Sequence, residues 1–270
     1  MMKRLALLFL SLCCLVLPAH AASDDPVGMV LDLRGDAAPL QLLGYVRAGQ
    51  QIRLGAQASA SVSHYGSRLV YQLTGPLQAQ VEPNGIRVIK GAPAQTRSLA
   101  EKLVRAAVDP RLSPAAVKMR ALSDVTLKAP LNRAVLAGVR PQFSWMAEGG
   151  DYRVQVDELD GKRIASGTSE SGSWELPEGV ALVPGTGYRW TVTQADPEGE
   201  QASGSATFTV ASEAEREAVL ALRPAPDAAI EDWVLYAAIL DGRRFDEEAR
   251  AAWRAIAARR ADLVPPPRPR

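Results

Sequence analysis

The feature that most constrains this chain is a turn that runs into an alternating strand, residues 182–192. Pro184-Gly185 is a turn dipeptide, and apolar and polar residues alternate directly after it through Tyr188, Trp190 and Val192. A Tyr just past a Leu-x-Pro-Gly turn is typical of a tyrosine corner, in which the ring packs inward and the hydroxyl bonds backbone a few residues upstream. The stretch therefore predicts a small β-sandwich in the middle of the chain.

The same alternation extends over residues 128–211. Burying each large aromatic side chain contributes on the order of 2–3 kcal/mol, so we interpret these residues as core: Phe143, Trp145, Trp174, Tyr188 and Trp190. An exposed sugar-binding strip is the alternative, with Trp174 its best candidate because Ser, Gly and Glu flank it. The stretch around Tyr188 resembles the penultimate strand of fibronectin type III-like and other immunoglobulin-like sandwiches, which implies such a domain here.

The first 21 residues have the pattern of a Sec-type signal peptide. Lys3 and Arg4 precede an apolar run at residues 5–17, and Ala19-His20-Ala21 supplies small residues at the cleavage positions. The run is short for a membrane span, so we expect cleavage after Ala21 in preference to a retained anchor. The residue before Cys13 is Leu rather than Gly or Ala, which disfavours lipidation. We therefore predict a periplasmic protein without a membrane span after cleavage.

Composition narrows the chemistry of the exported part. Cys13 and Cys14, the two cysteines of the chain, lie in the leader, and His64 is the histidine left once His20 is removed with it. An ordinary zinc site is therefore not expected. Without Lys3 and Arg4 the chain has 29 basic and 30 acidic residues, a formal charge of −1. This balance does not favour electrostatic binding of nucleic acid.

Short alternating runs separated by turn residues fill residues 22–97. This pattern predicts a small antiparallel β-barrel or roll. Asn84-Gly85 is expected as a hairpin turn. The runs are at residues 27–33, 41–46, 52–54, 58–65, 69–73, 77–81 and 86–89.

The glycine and turn positions of this part resemble a FecR-like domain. The residues that carry the resemblance are Gly28-x-Val30, Gly49-Gln50-x-Ile52, Gly55 with the run 58–62, and Tyr65-Gly66-Ser67-Arg68-Leu69. Gln50 stands where the family usually has Asp, and Tyr65 precedes the Gly-Ser pair. The resemblance implies a periplasmic domain that serves in signalling or envelope interactions and does not catalyse a reaction.

Two further segments read as helical. Ser98 and Glu101 form a capping-box pattern that opens a connector at residues 98–127, with a second short helix expected at Ser113-Pro114. We expect the apolar stripe of this connector to rest on the first domain. The predicted fold is therefore mainly β, with a small roll followed by a sandwich.

A helical segment is predicted at residues 212–263. Ser212 and Glu215 form a second capping box, and Asp227 is expected to cap the next helix. The last two helices resemble a tetratricopeptide pair in the spacing of Trp233, Tyr236, Ala237, Leu240, Ala249, Trp253 and Ile256. One pair is too few to bury its own faces, so it packs on the sandwich, takes residues 212–222 as a third helix, or offers an apolar face to a partner. Residues 264–270 are a Pro/Arg tail, expected to be extended.

The residues favour no catalytic site. His64 is the one candidate base, with Ser61, Ser63 or Ser67 as candidate nucleophiles, but no nucleophile elbow accompanies it, and we interpret it as a surface histidine at a hairpin edge. Acidic groups fall at turns and in first turns of helices, where solvent or the helix dipole explains them. We predict no catalytic, cofactor-binding or metal-binding residues, no cofactor and no enzyme activity, and assign no ligand-binding residues.

These observations predict a non-enzymatic adaptor of the bacterial cell envelope. The three parts are expected in linear order, with a protein partner bound through the FecR-like domain or the C-terminal helices. The alternatives are an envelope signal-sensing protein of FecR type and a glycan- or peptidoglycan-binding module that uses Trp174.

Overall fold

The computed structural model describes residues 25–107, 125–195 and 201–263. Within them the protein is mainly β, as predicted, with sixteen strands in four sheets and four helices. The signal peptide, the predicted helix at Ser113-Pro114 and the Pro/Arg tail lie outside the described residues.

The first eight strands form two facing sheets that enclose an apolar interior. One sheet has the order β2-β1-β4-β5-β8 and the other β3-β6-β7, and all their pairings are antiparallel. The sheets do not close into a barrel within the described residues. The strands are β1 (Pro26–Arg34), β2 (Tyr45–Arg47), β3 (Gln51–Leu54), β4 (Ser59–His64), β5 (Leu69–Thr74), β6 (Leu77–Glu82), β7 (Gly85–Lys90) and β8 (Gln95–Ser98).

The β6–β7 turn is displaced by one residue from the prediction. Pro83 and Asn84 occupy the turn, and Gly85 already pairs with Glu82 in the ladder. A β-carbon at Gly85 would lie 2.5 Å from the hydroxyl oxygen of Tyr71. Gly85 is therefore required by this close approach and not by the turn.

The predicted capping box at Ser98 is wrong. Ser98 is the last residue of β8, where it pairs with Leu69, and α1 (Glu101–Ala107) begins three residues later. The carbonyl of Ala100 accepts the first helical hydrogen bonds, from the N–H groups of Leu103 and Val104. Ser98 therefore pairs with β5. It does not cap the helix, although the local sequence pattern predicts that it does.

The middle of the chain is a two-sheet sandwich. Its larger sheet has the order β10-β16-β15-β12-β13 and its smaller sheet β14-β11-β9. The strands are β9 (Leu127–Ala129), β10 (Ala134–Leu136), β11 (Gln142–Trp145), β12 (Tyr152–Glu158), β13 (Arg163–Ser169), β14 (Ser173–Glu175), β15 (Gly187–Ala195) and β16 (Gln201–Val210).

The tyrosine corner is confirmed. The Tyr188 side chain is fully buried, and its hydroxyl oxygen accepts a hydrogen bond of 2.8 Å from the backbone N–H of Val183. The other aromatic residues predicted for this core are buried except Trp174, which is half-buried: Phe143, Trp145 and Trp190. The aromatic mass of the sequence thus fills the space between the two sheets.

The C-terminal segment forms α2 (Glu213–Ala221), α3 (Ile230–Gly242) and α4 (Asp246–Arg259). The Ser212–Glu215 capping box is present, with the Ser hydroxyl oxygen accepting from the Glu215 N–H and the Glu carboxylate accepting from the Ser212 N–H. The predicted cap at Asp227 is wrong, because Ala229 holds the N-cap position of α3.

These helices return to the first domain, so the expected linear arrangement is wrong. They share one hydrophobic cluster with α1 and with residues on the outer face of the β1–β4–β5 sheet, including Met29, Leu31 and Val70. The turn between α3 and α4 also contacts the sandwich, since the N–H of Val135 donates to the carbonyl of Arg244. The helices therefore join the two β-domains.

The tyrosine corner can be tested against a second buried tyrosine. Tyr188→Phe leaves the N–H of Val183 without its acceptor, so we expect the free energy of unfolding to fall by about 1–2 kcal/mol. In Tyr65→Phe the lost hydroxyl is buried and has no hydrogen-bond partner among the described residues, so stability should be unchanged or slightly raised. Chemical denaturation of both variants measures the difference, and equal losses would contradict the interpretation.

Candidate functional site

His64 is buried and structural rather than a surface residue, which corrects the prediction. Its Nε2 lies 2.9 Å from the carbonyl oxygen of Glu82, and its Nδ1 lies 3.1 Å from the backbone nitrogen of Ser67. A carbonyl accepts and a backbone N–H donates, so Nε2 carries the proton and Nδ1 accepts. The ring thereby links β4 to the β6–β7 hairpin of the facing sheet.

The candidate nucleophiles do not converge on this histidine. Ser61 and Ser63 lie on the opposite face of β4, because successive side chains of a strand alternate. The Ser67 hydroxyl lies 3.0 Å from Nδ1, but the other ring nitrogen faces a backbone carbonyl where a triad has a carboxylate. The arrangement ties two sheets together.

The face of β4 that carries Ser61 instead contributes to a polar network between the first domain and α3. Arg97 on β8 forms ion pairs of 3.2 Å with Glu231 and 3.1 Å with Asp232, both in the first turn of α3. The Ser61 hydroxyl and the Gln72 amide also donate to the Glu231 carboxylate. Glu231 is 6% exposed, so these donors replace the water that it loses.

The pKa of Glu231 shows how well these protein donors replace the water that the carboxylate loses. Burial by itself would raise it, yet the carboxylate's own backbone N–H, the charge of Arg97 and the hydrogen bonds from Arg97 and Ser61 hold it below its ordinary value of 4.5. The ionised form is therefore stabilised in the folded protein. This contribution is present above the unfolded pKa and is lost as the pH falls through the folded one.

A second ion pair lies where α4 ends, at the same end of the helical pair as the first turn of α3, since Arg259 donates to the carbonyl of Ala228. Arg260, just past α4, makes a bidentate pair with Asp32 on β1, with both distances at 3.0 Å. It also binds Asp262, and the hydrogen bond from Arg260 lowers the pKa of Asp262 to about 2. The two ion-pair sites fasten this end of the helical segment to β8 and β1 of the first domain.

Glu248 marks the contact with the sandwich. Burial raises the pKa of its carboxyl, and the neighbouring Glu247 and Asp246 raise it further, while the backbone N–H of Ala137 donates to it and opposes the shift. Its Oε2 is buried and has no hydrogen-bond partner among the described residues. The ionised form is thus disfavoured in the folded protein.

Other acidic groups make the local contacts expected of turns and helix ends. Asp160 accepts from the N–H of Lys162 in the β12–β13 turn, and Glu158 pairs with Lys162. No group of three or more potential metal ligands occurs in residues 25–107, 125–195 and 201–263. None of the described helices is long and apolar enough to cross a membrane.

Trp174 is a rim residue of the sandwich. Its ring packs 5.5 Å from that of Phe143, measured between centroids, and a β-carbon at Gly167 would lie 2.4 Å from its indole nitrogen. The side chain therefore covers the open side between the two sheets. Its role in the core accounts for it without a sugar ligand.

The first domain leaves one long strand edge open. Among the described residues β7 pairs only with β6, and its other edge carries no strand. Ile89 on this strand is 54% exposed, and Arg87 and Lys90 are exposed on either side of it. An open edge presents unpaired backbone N–H and C=O groups, which an added strand can use.

The sequence pattern predicts strand β7 but does not indicate that its outer edge is unpaired. It gives no sign of the Arg97–Glu231 network. These two residues are 134 positions apart. The sequence around each of them is what surrounds any ordinary charged residue. No sequence signal pairs them.

Comparisons with known proteins show no family for this chain. No protein-family model matches the chain, and no curated protein matches it. Among solved structures, the crystal structure of CopC from Methylosinus trichosporium OB3b is similar over 33% of this chain and 95% of that chain, with 16% sequence identity and a TM-score of 0.27. So low a TM-score supports no conclusion about fold or function. The FecR-like and tetratricopeptide-like resemblances stay predictions from the sequence.

The ion pairs of α3 predict an unequal response to charge removal. Arg97→Met leaves the carboxylate of Glu231 buried without its cation, so we expect a loss of about 2–3 kcal/mol at pH 7, somewhat below that of a fully buried pair because Arg97 is 27% exposed. The matched control is Arg87→Met, which breaks an exposed pair with Glu82 and should cost less than about 1 kcal/mol.

The same variant has a predicted pH dependence. The loss in Arg97→Met should shrink as the pH falls below about 4.5, because protonated Glu231 no longer needs the cation. Denaturant titrations at pH 7 and at lower pH measure it. A loss independent of pH would show that Arg97 acts through packing alone.

Glu248→Gln should stabilise the protein at pH 7. The folded pKa of Glu248 is raised, so its charge destabilises the folded state above the unfolded pKa, and the amide removes that charge while its oxygen still accepts from Ala137. We expect the Tm to rise by about 1–3 °C at pH 7, after a discount for partial exposure, and not at acid pH. Glu217→Gln, on an exposed position of α2, is the control, and an equal rise there would refute the assignment.

Proposed function

We propose that this chain is a non-enzymatic, exported interaction protein of the bacterial cell envelope, with a FecR-like first domain that binds a protein partner. The export signal and the FecR-like resemblance of the sequence support the location and the class. The open edge of β7 supports the choice of the first domain as the binding part.

The packing of the C-terminal helices within the chain supports the same choice. Their apolar residues are buried against α1 and the first domain, so this face is occupied within the chain. The remaining large apolar group on α2 is Leu220, which is 51% exposed and stands alone on a mostly exposed helix. Ile89 has nearly the same exposure, but it lies on a strand edge that also offers backbone hydrogen bonds.

The helices then have a supporting role in this function. They hold the two β-domains together through Arg97, Arg260 and the contact of Arg244 with the sandwich. Since the first domain and the sandwich are joined in this way, a partner bound at β7 is held at a set distance from the sandwich. The protein acts as a rigid spacer.

Photo-crosslinking tests this proposal in the native envelope. A photoreactive residue at Ile89 of the full chain should give a discrete protein adduct, whereas the same residue at Leu220, which has nearly equal exposure, should not. Adding Lys90→Glu to the Ile89 probe should change the adduct yield. Equal labelling from both positions, or none from Ile89, would refute the proposed binding part.

A further inference from the structure

The outward face of the β3–β6–β7 sheet carries two rows of polar side chains that run across the sheet to the open edge of β7. A strand added at this edge would lie about 4.8 Å from β7 and would extend both rows. Its outward side chains would therefore be direct neighbours of the last side chain in each row. The rows consist of Gln51, Gln80 and Arg87 in the first, and of Arg53, Gln78 and Lys90 in the second.

This outward face is positively charged along β7. Its two rows hold Arg53, Arg87 and Lys90 and no acid. Glu82, at the end of β6, pairs with Arg87. Asp36 lies at the opposite edge of the sheet, where its backbone carbonyl accepts from the residue just past β3. Lys90 thus has no carboxylate within ion-pair distance in the residues that the structure describes, and an acidic side chain on an added strand would supply one.

A β-bulge at Ile89 sets the spacing of the two bases on β7. Ile89 has no partner on β6, whereas Arg87 and Lys90 on either side of it oppose Gln80 and Gln78. A regular strand therefore meets the two bases with residues that are two positions apart. Residues two positions apart point to the same face of a strand. Acidic residues at alternate positions of an added strand match this spacing.

The inward side of the same edge is apolar. Ile86 and Val88 point into the interior between the two sheets, and Val88 is only partly buried there. Among the described residues no strand lies beyond β7. An added strand would place every second side chain beside these two residues, where an apolar side chain removes the most surface from water.

We propose that β7 binds an extended segment of the partner protein in which apolar residues alternate with aspartate or glutamate. The segment adds to the sheet as a fourth strand, with its apolar side chains inward and its carboxylates beside Arg87 and Lys90. This inference rests on the proposed function and names the chemistry of the partner segment. A second copy of β7 does not fit, because Arg87 and Lys90 would meet the same charges on that copy, and such charges protect an edge from self-pairing.

Peptide binding to the full-length protein tests the proposal by fluorescence anisotropy. One capped heptapeptide alternates valine with glutamate, and a second alternates valine with lysine. We expect the glutamate peptide to bind at least about 10-fold more tightly, because attractive cross-strand pairs replace repulsive ones. N-methylation of two adjacent central residues removes one N–H from each edge of the glutamate peptide and should weaken its binding about 10-fold.

Lys90→Glu separates recognition at the β7 edge from general charge attraction. The substitution should bring the ratio of the two peptide affinities to about one, because the outer base of the second row becomes an acid. Arg216→Glu makes the same change of charge at an exposed position of α2 and should leave the ratio within about twofold. Thermal melts check that both variants are folded.

The outcomes separate this inference from the proposed function. No peptide binding, equal affinity for the two peptides, an unchanged ratio in Lys90→Glu, an equal change in Arg216→Glu, or undiminished binding of the N-methylated peptide would each overturn the inference. If the Ile89 photo-crosslinking probe still gives a discrete adduct, the proposed function stands without it. Absence of that adduct refutes the proposed function itself.

Discussion

The outer face of the β1–β4–β5 sheet is covered by a helical segment from the other end of the chain, and the arrangement of the whole molecule depends on this contact. The apolar part of the contact comes from one cluster shared by Met29, Leu31 and Val70 with α1, α3 and α4. Its polar part is held by Arg97 and Arg260. Without it the sandwich would be attached to the first domain through the connector alone.

Burial of charge gives this contact its specificity. Hydrophobic packing is non-directional, whereas the carboxylate of Glu231 requires donors at defined positions, and Ser61, Gln72 and Arg97 supply them. A shifted helix would leave that carboxylate buried without partners. The ion pairs therefore favour one docked position of α3 over other apolar placements on the same sheet.

The contact also decides which surfaces are free for function. It occupies the apolar face of the C-terminal pair, which the sequence left open as a partner site. The edge of β7 stays exposed, and its residues lie outside the cluster that joins the helices to the sheet. We therefore place the protein partner at this edge.

Local pattern by itself determined most of the strands, the mainly β class, the aromatic core around Tyr188 and the cap at Ser212, because each depends on neighbours within a few residues. Only the tertiary structure decided that Ser98 ends a strand, that His64 is buried between sheets, that the helices dock on the first domain, and that Arg87 and Lys90 end two polar rows of one sheet. These features depend on residues brought together from distant positions or adjacent strands. An alternating strand of serines reads as half-exposed, and whether its polar face meets water or a helix is settled only when the whole chain has folded.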